Sequence, residues 1–115
     1  RLAVQRRLSR QRMMKAVEMA DVVITNPTEL AVALRYDQET MRAPRVVAKG
    51  ARRLAARIRE IAMLSGVPIV EKKPLAQALY RACEVGDLVP QDLFRAVAEI
   101  LAYVYRLDEA RRRAA

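Results

Sequence analysis

The segment from Val22 to Tyr36 restricts the fold of this chain more than any other. Val22-Val23-Ile24-Thr25 is a β-branched run. Two heavy atoms on each Cβ stiffen these side chains and suit them to a buried, pleated strand. Asn26-Pro27 breaks the run, because proline lacks the N–H that a ladder needs. From Leu30 the pattern alternates, with Leu30, Val32, Leu34 and Tyr36 on one side and Ala31, Ala33 and Arg35 on the other. That is strand periodicity. Asn26-Pro27-Thr28-Glu29 also fits a helix start, with Asn at the N-cap, Pro at the first position and Glu at the third. The alternation after Leu30 argues for a second strand instead.

Further on, Asp37 to Pro44 is polar and turn-rich, and Arg45-Val46-Val47-Ala48 reads as a third strand with Gly50 marking its end. Ala51 to Ser65 is the clearest helix, with Leu54, Ile58, Ile61 and Ala62 on one face and Gly66 as its stop. Pro68 to Glu71 is a short fourth strand, with proline at its entry where no ladder donor is required. Pro74 opens a helix through Cys83 that packs Leu75, Ala78, Leu79 and Ala82. Gly86 breaks the chain, and Pro90 to Leu107 forms the last helix with Leu93, Val97, Ile100, Leu101 and Val104 inward. Val46 to Val70 reads as a βαβ unit, so part of the sheet should be parallel. Residues 1–20 read either as a helix with a thin apolar stripe (Leu2, Leu8, Met13, Met14, Val17) or as a frayed basic linker. The expected fold is α/β, a small mixed four-stranded sheet covered by helices with an extended N-terminal linker helix. Its expected divisions are 1–20, a basic linker helix; 21–107, the domain proper; and 108–115, a basic tail.

Composition narrows function by exclusion. The chain contains no histidine, which removes His-based metal sites, Ser–His–Asp triads and Cys–His dyads. Its single cysteine, Cys83, has no intramolecular disulfide partner and sits in an apolar setting, as a core thiol would. No Gly-rich phosphate loop or spaced carboxylate pair appears, and no cofactor is expected. The net charge of +9 attracts phosphates, anionic headgroups or acidic proteins. Its excess lies at the ends: Arg1, Arg6, Arg7, Arg10, Arg12 and Lys15 precede the first acid, Glu18, and Arg111 to Arg113 close the chain. This footprint alone would admit a nucleic-acid-binding domain, but no helix-turn-helix, aromatic stacking platform or zinc pattern accompanies it. No apolar run is long enough to span a membrane. The chain opens with Arg rather than Met, so it reads as a fragment or a processed product.

The unusual chemistry is at Asn26-Pro27. An Asn side chain commonly cyclises when the next backbone nitrogen attacks it, but Pro27 has no N–H and closes that route. The other route remains: the Asn26 side-chain nitrogen attacks its own main-chain carbonyl, forms a succinimide and expels the Pro27 nitrogen. A fold can promote this by holding the atoms close, by straining the turn, or by offering donors to the oxyanion. Proline also confines the residue before it to extended conformations. Taken alone, Asn-Pro-Thr is a structural turn far more often than a cleavage site.

Ala20 to Thr28, followed by Ala31 to Asp37, closely resembles the cleavage region of the FlhB/YscU family of type III export switch proteins. Ala43 to Gly50, Ile58 to Ala62, Gly66 to Glu71, Pro74 to Ala76 with Ala78 to Tyr80, and Ala96 to Glu99 through Tyr103 to Leu107 carry the resemblance on. It spans about Met13 to Leu107 and is closer to the flagellar branch. The resemblance implies self-cleavage after Asn26 within the motif Asn26, Pro27, Thr28 and Glu29, with both pieces remaining in one fold. Cleavage would occur once per molecule and not as enzymatic turnover. It also implies a membrane domain upstream, a place at the cytoplasmic face of the bacterial inner membrane, and a role in switching export from rod and hook to filament subunits. The implied partners are other export-gate proteins, a hook-length control protein and export substrates, with anionic lipid contact through residues 1–15 and no nucleic acid. One position departs: the family motif ends in His where this chain has Glu29. A carboxylate is a weaker base than imidazole at neutral pH and adds negative charge beside an oxyanion, so slower cleavage is expected.

Overall fold

A computed structural model describes residues 1–114. The β-branched run forms β1 (Val22–Asn26) and the alternating segment forms β2 (Leu30–Arg35). They pair antiparallel, from Val22 opposite Leu34 to Asn26 opposite Leu30. β3 (Arg45–Ala51) pairs antiparallel with β2, and β4 (Ile69–Glu71) pairs parallel with β1. The sheet is therefore mixed and four-stranded, in the order β3-β2-β1-β4. The helix α2 (Arg53–Ser65) joins β3 to β4. These two strands lie at opposite edges, so the crossover passes over β2 and β1, and the parallel pair is β1 with β4.

Both faces of the sheet are covered, which explains why β1 has no polar alternation. Val22, Ile24, Val32, Leu34 and Val46 pack on α3 (Lys73–Ala82) and α4 (Phe94–Ala114), against Leu75, Leu79, Val97 and Leu101. Val23, Ala31, Ala33 and Ala48 face α2 and the end of α1 (Leu2–Val17), against Ala55, Ile58, Ala62 and Val17. The alternation in β2 is thus large against small, and both of its faces are buried. Alanine on one face lets α2 approach the sheet closely. The ladder slips between Ala33 and Leu34, leaving Val47 as the extra residue of a β-bulge.

Several boundaries differ from the sequence reading. Gly50 does not end β3; it pairs with Ala31 inside the strand. A Cβ there would lie 2.7 Å from Leu54 Cγ and 3.0 Å from the Leu54 backbone carbon, so glycine is needed for the close approach of strand and helix. α2 starts at Arg53, and Gly66 stops it in the left-handed conformation with φ 72°. A 3₁₀ turn, Gln91–Leu93, precedes α4, and α4 continues through Ala114 where a stop at Leu107 was expected. Ion pairs of Asp108 with Arg112 and Glu109 with Arg113 extend it, and the arginines of its last turn suit the helix dipole. α1 forms as a regular helix, yet only Val17 is buried; Leu2 and Leu8 are 59% and 45% exposed.

Candidate functional site

The four motif residues lie together at one end of the sheet. Asn26 is the last residue of β1 and is half-buried, while Pro27, Thr28 and Glu29 are exposed in the connection to β2. The Glu29 N–H donates to the Asn26 main-chain carbonyl at 2.9 Å. This is the i to i+3 bond of a β-turn with proline at its favoured second position. No residue of the turn has a positive φ, which excludes type II. The helix-start alternative for positions 26–29 is overturned: strands pair on both flanks, and Asn26 itself pairs with Leu30.

Neighbouring elements hold the turn from both sides. The Lys72 N–H donates to the Thr25 carbonyl at 3.0 Å, continuing the β4 ladder past its last residue. On the other side the Arg52 N–H donates to the Glu29 carbonyl at 2.9 Å. Thr25 is 3% exposed, so the chain emerges from the interior only at Asn26. β1 lies between β2 and β4, with ladder bonds on both edges and core contacts on both faces.

The sequence reading missed Arg52 and Lys72. Both act through backbone N–H groups, which carry no residue-type signal. Arg52 is the only non-glycine with a positive φ among the described residues, at φ 53° and ψ −110°. The nearest clue was Gly50, read as the end of a strand; the glycine serves packing, and the unusual backbone falls two residues later. Cys83 lies in the core, 1% exposed, and burial pushes its thiol pKa up. Arg7, Arg10, Lys15 and Arg57 line a cleft between α1 and α2 floored by Met14, Leu54 and Ile61. Among the described residues no helix is long and apolar enough to cross a membrane.

The sequence profile of the FlhB HrpN YscU SpaS family matches residues 1–104. The chain belongs to this family. It is 53% identical over 105 residues to the flagellar biosynthetic protein FlhB of Bacillus subtilis, covering 91% of this chain and 29% of that protein. It is 52% identical over 108 residues to the Escherichia coli protein of the same name, covering 94% and 28%. The chain thus spans under a third of the length of these FlhB relatives. Among solved structures, the cytoplasmic domain of FlhB from Shewanella putrefaciens superposes with a TM-score of 0.85 at 41% identity, over 90% of this chain and 79% of that one. A mutated EscU C-terminal domain superposes with a TM-score of 0.77 at 27% identity, over 80% and 92%. The mixed sheet with its helices is therefore the fold of FlhB cytoplasmic domains.

Proposed function

We propose that this chain is the cytoplasmic domain of a flagellar-type protein-export gate component, that it cleaves itself once between Asn26 and Pro27, and that it switches the class of substrate exported. The observation that carries the reading is the Asn26 carbonyl, held in a turn between paired strands and already accepting the Glu29 N–H at 2.9 Å. That carbonyl is the electrophile. When the Asn26 side-chain nitrogen adds to its carbon, negative charge develops on the oxygen that Glu29 N–H contacts, and a preplaced donor lowers the barrier. The C–N bond to Pro27 then breaks, the Pro27 nitrogen takes the proton that the attacking amide loses, and a succinimide remains at Asn26. Water reopens the succinimide. Each molecule does this once, so the domain is not an enzyme in the sense of turnover.

Glu29 stands where a histidine is expected from the resemblance, and it is exposed. Its carboxylate weakens proton transfer and opposes the oxyanion, which supports slow cleavage. A docking module with slow or lost cleavage is the second reading, and this substitution is what favours it. The proposed setting is the cytoplasmic face of the inner membrane. The proposed partners are gate proteins, a hook-length control protein and export substrates, with the basic face of residues 1–15 against anionic headgroups. Intact-mass measurement of freshly folded protein tests the reaction. Two pieces divided after Asn26 are expected, and Asn26→Ala remains one chain. A wild-type chain that stays whole for days sinks the cleavage reading and leaves docking.

A further inference from the structure

The transition from β3 to α2 is made in one residue. Ala51 still pairs with Leu30, and Arg53 is already helical. Between them Arg52 adopts φ 53°, ψ −110°, a conformation that L-residues avoid. Two hydrogen bonds hold it there. Its N–H donates to the Glu29 carbonyl at 2.9 Å, and its carbonyl accepts the Ala56 N–H at 2.9 Å as the first bond of α2. Two residues before it, Gly50 already lies against Leu54 of α2, closely enough that a Cβ there would fall 2.7 Å from Leu54 Cγ.

The consequence falls on Glu29. Its carbonyl is tied to Arg52, and its N–H is the donor to the Asn26 carbonyl. The two groups lie in successive peptide planes joined only through φ and ψ of Glu29, so holding the carbonyl narrows the directions open to the N–H. From this we infer that Arg52 is a positioning residue for cleavage at Asn26: its strained backbone, and not its guanidinium, aims the Glu29 N–H at the oxygen where charge develops. The inference rests on the self-cleavage reading above. Strain held next to a reacting turn is the pattern expected where geometry serves chemistry. The exposed Arg52 side chain has no part in it.

The test is a substitution series read by intact mass over time, with melting temperature measured in parallel. Arg52→Gly keeps both the conformation and the donor, and is expected to retain the rate. Arg52→Ala retains it as well. Arg52→Val disfavours a positive φ, and is expected to slow cleavage about tenfold or more by misdirecting the donor. Leu79→Ala, which lowers stability from a buried site in α3, controls for destabilisation and keeps the rate. In an Asn26→Ala background, hydrogen exchange at the Glu29 amide should be fast with Arg52→Val and slow with Arg52→Gly. Where Arg52→Val does not fold, an ester in place of the Arg52 peptide N–H, introduced by semisynthesis, is expected to give the same slowing. Slowing by Gly and Ala as large as by Val assigns the effect to the guanidinium and overturns the inference. Equal slowing by Leu79→Ala overturns it as mere stability, and an unchanged rate with Val or the ester overturns it directly. In each of these cases the wild type still cleaves, so the self-cleavage reading survives. A wild type that never cleaves overturns both.

Discussion

Asn26 carries both partners of the proposed reaction, a side-chain amide and the main-chain carbonyl it attacks. In that proposal its neighbours set the rate. Glu29 would contribute a helpful backbone N–H and an unhelpful carboxylate, so the two halves of one residue would act in opposite directions. Glu29→His keeps the first and replaces the second with a base suited to neutral pH. Cleavage is expected to accelerate about tenfold or more, read as the half-time of the intact species by mass spectrometry; an unchanged half-time would mean that the side chain at 29 is a bystander. Cys83 illustrates a different residue-scale effect. Burial keeps its thiol protonated in the fold, whereas in the unfolded chain it ionises near its ordinary value of 9.0. The folded pKa is the higher one, so this contribution is fully present below pH 9.0 and is lost as pH rises through the folded value. The melting temperature is expected to fall more steeply from about pH 8 to pH 10 in the wild type than in Cys83→Ala.

Strand β3 and helix α2 act as one unit. Their contact at Gly50 is tight enough to exclude a methyl group, and the strained turn at Arg52 comes two residues later. Gly50→Ala pushes a Cβ against the Cβ, Cγ and backbone carbon of Leu54, which cannot all swing aside. A loss of about 1–3 kcal/mol is expected from such overpacking, measured by urea unfolding. Because Ala51 pairs with Leu30, the same variant should also disturb the 26–29 turn. Lys49 ties β3 to the opposite layer, donating to the Tyr80 carbonyl at 2.9 Å with its ammonium 4.5 Å from the Tyr80 ring centroid.

A cut after Asn26 would divide the molecule into α1 with β1 and everything else. The smaller piece contributes an inner strand, hydrogen-bonded on both edges. Val17, Val22, Val23 and Ile24 are all 0% exposed, and burial at about 1.5–3 kcal/mol each supplies roughly 6–12 kcal/mol against separation. The two pieces are therefore expected to elute together by gel filtration in native buffer and to part only in denaturant. Separation in native buffer at micromolar concentration would show that the strand is held less firmly than its burial implies.

The β-branched run at Val22, the alternation from Leu30, the α2 periodicity and the Asn26-Pro27 pair are local patterns, and local chemistry was enough to read a mixed sheet, its helices and the candidate scissile bond. Helix ends were less legible: α4 runs past Leu107 with no stop residue there, although the i,i+4 spacing of Asp108 with Arg112 and Glu109 with Arg113 is a helical pattern present in the sequence. The strand order, the burial of both faces of β2 and the orientation of the turn arise from contacts between residues distant in sequence. The positive φ at Arg52 belongs with them: no property of arginine calls for it, and it occurs where β3, α2 and the 26–29 turn meet. Side-chain type determined which bond is the candidate for cleavage; backbone groups brought together by folding decided which donor faces the Asn26 carbonyl.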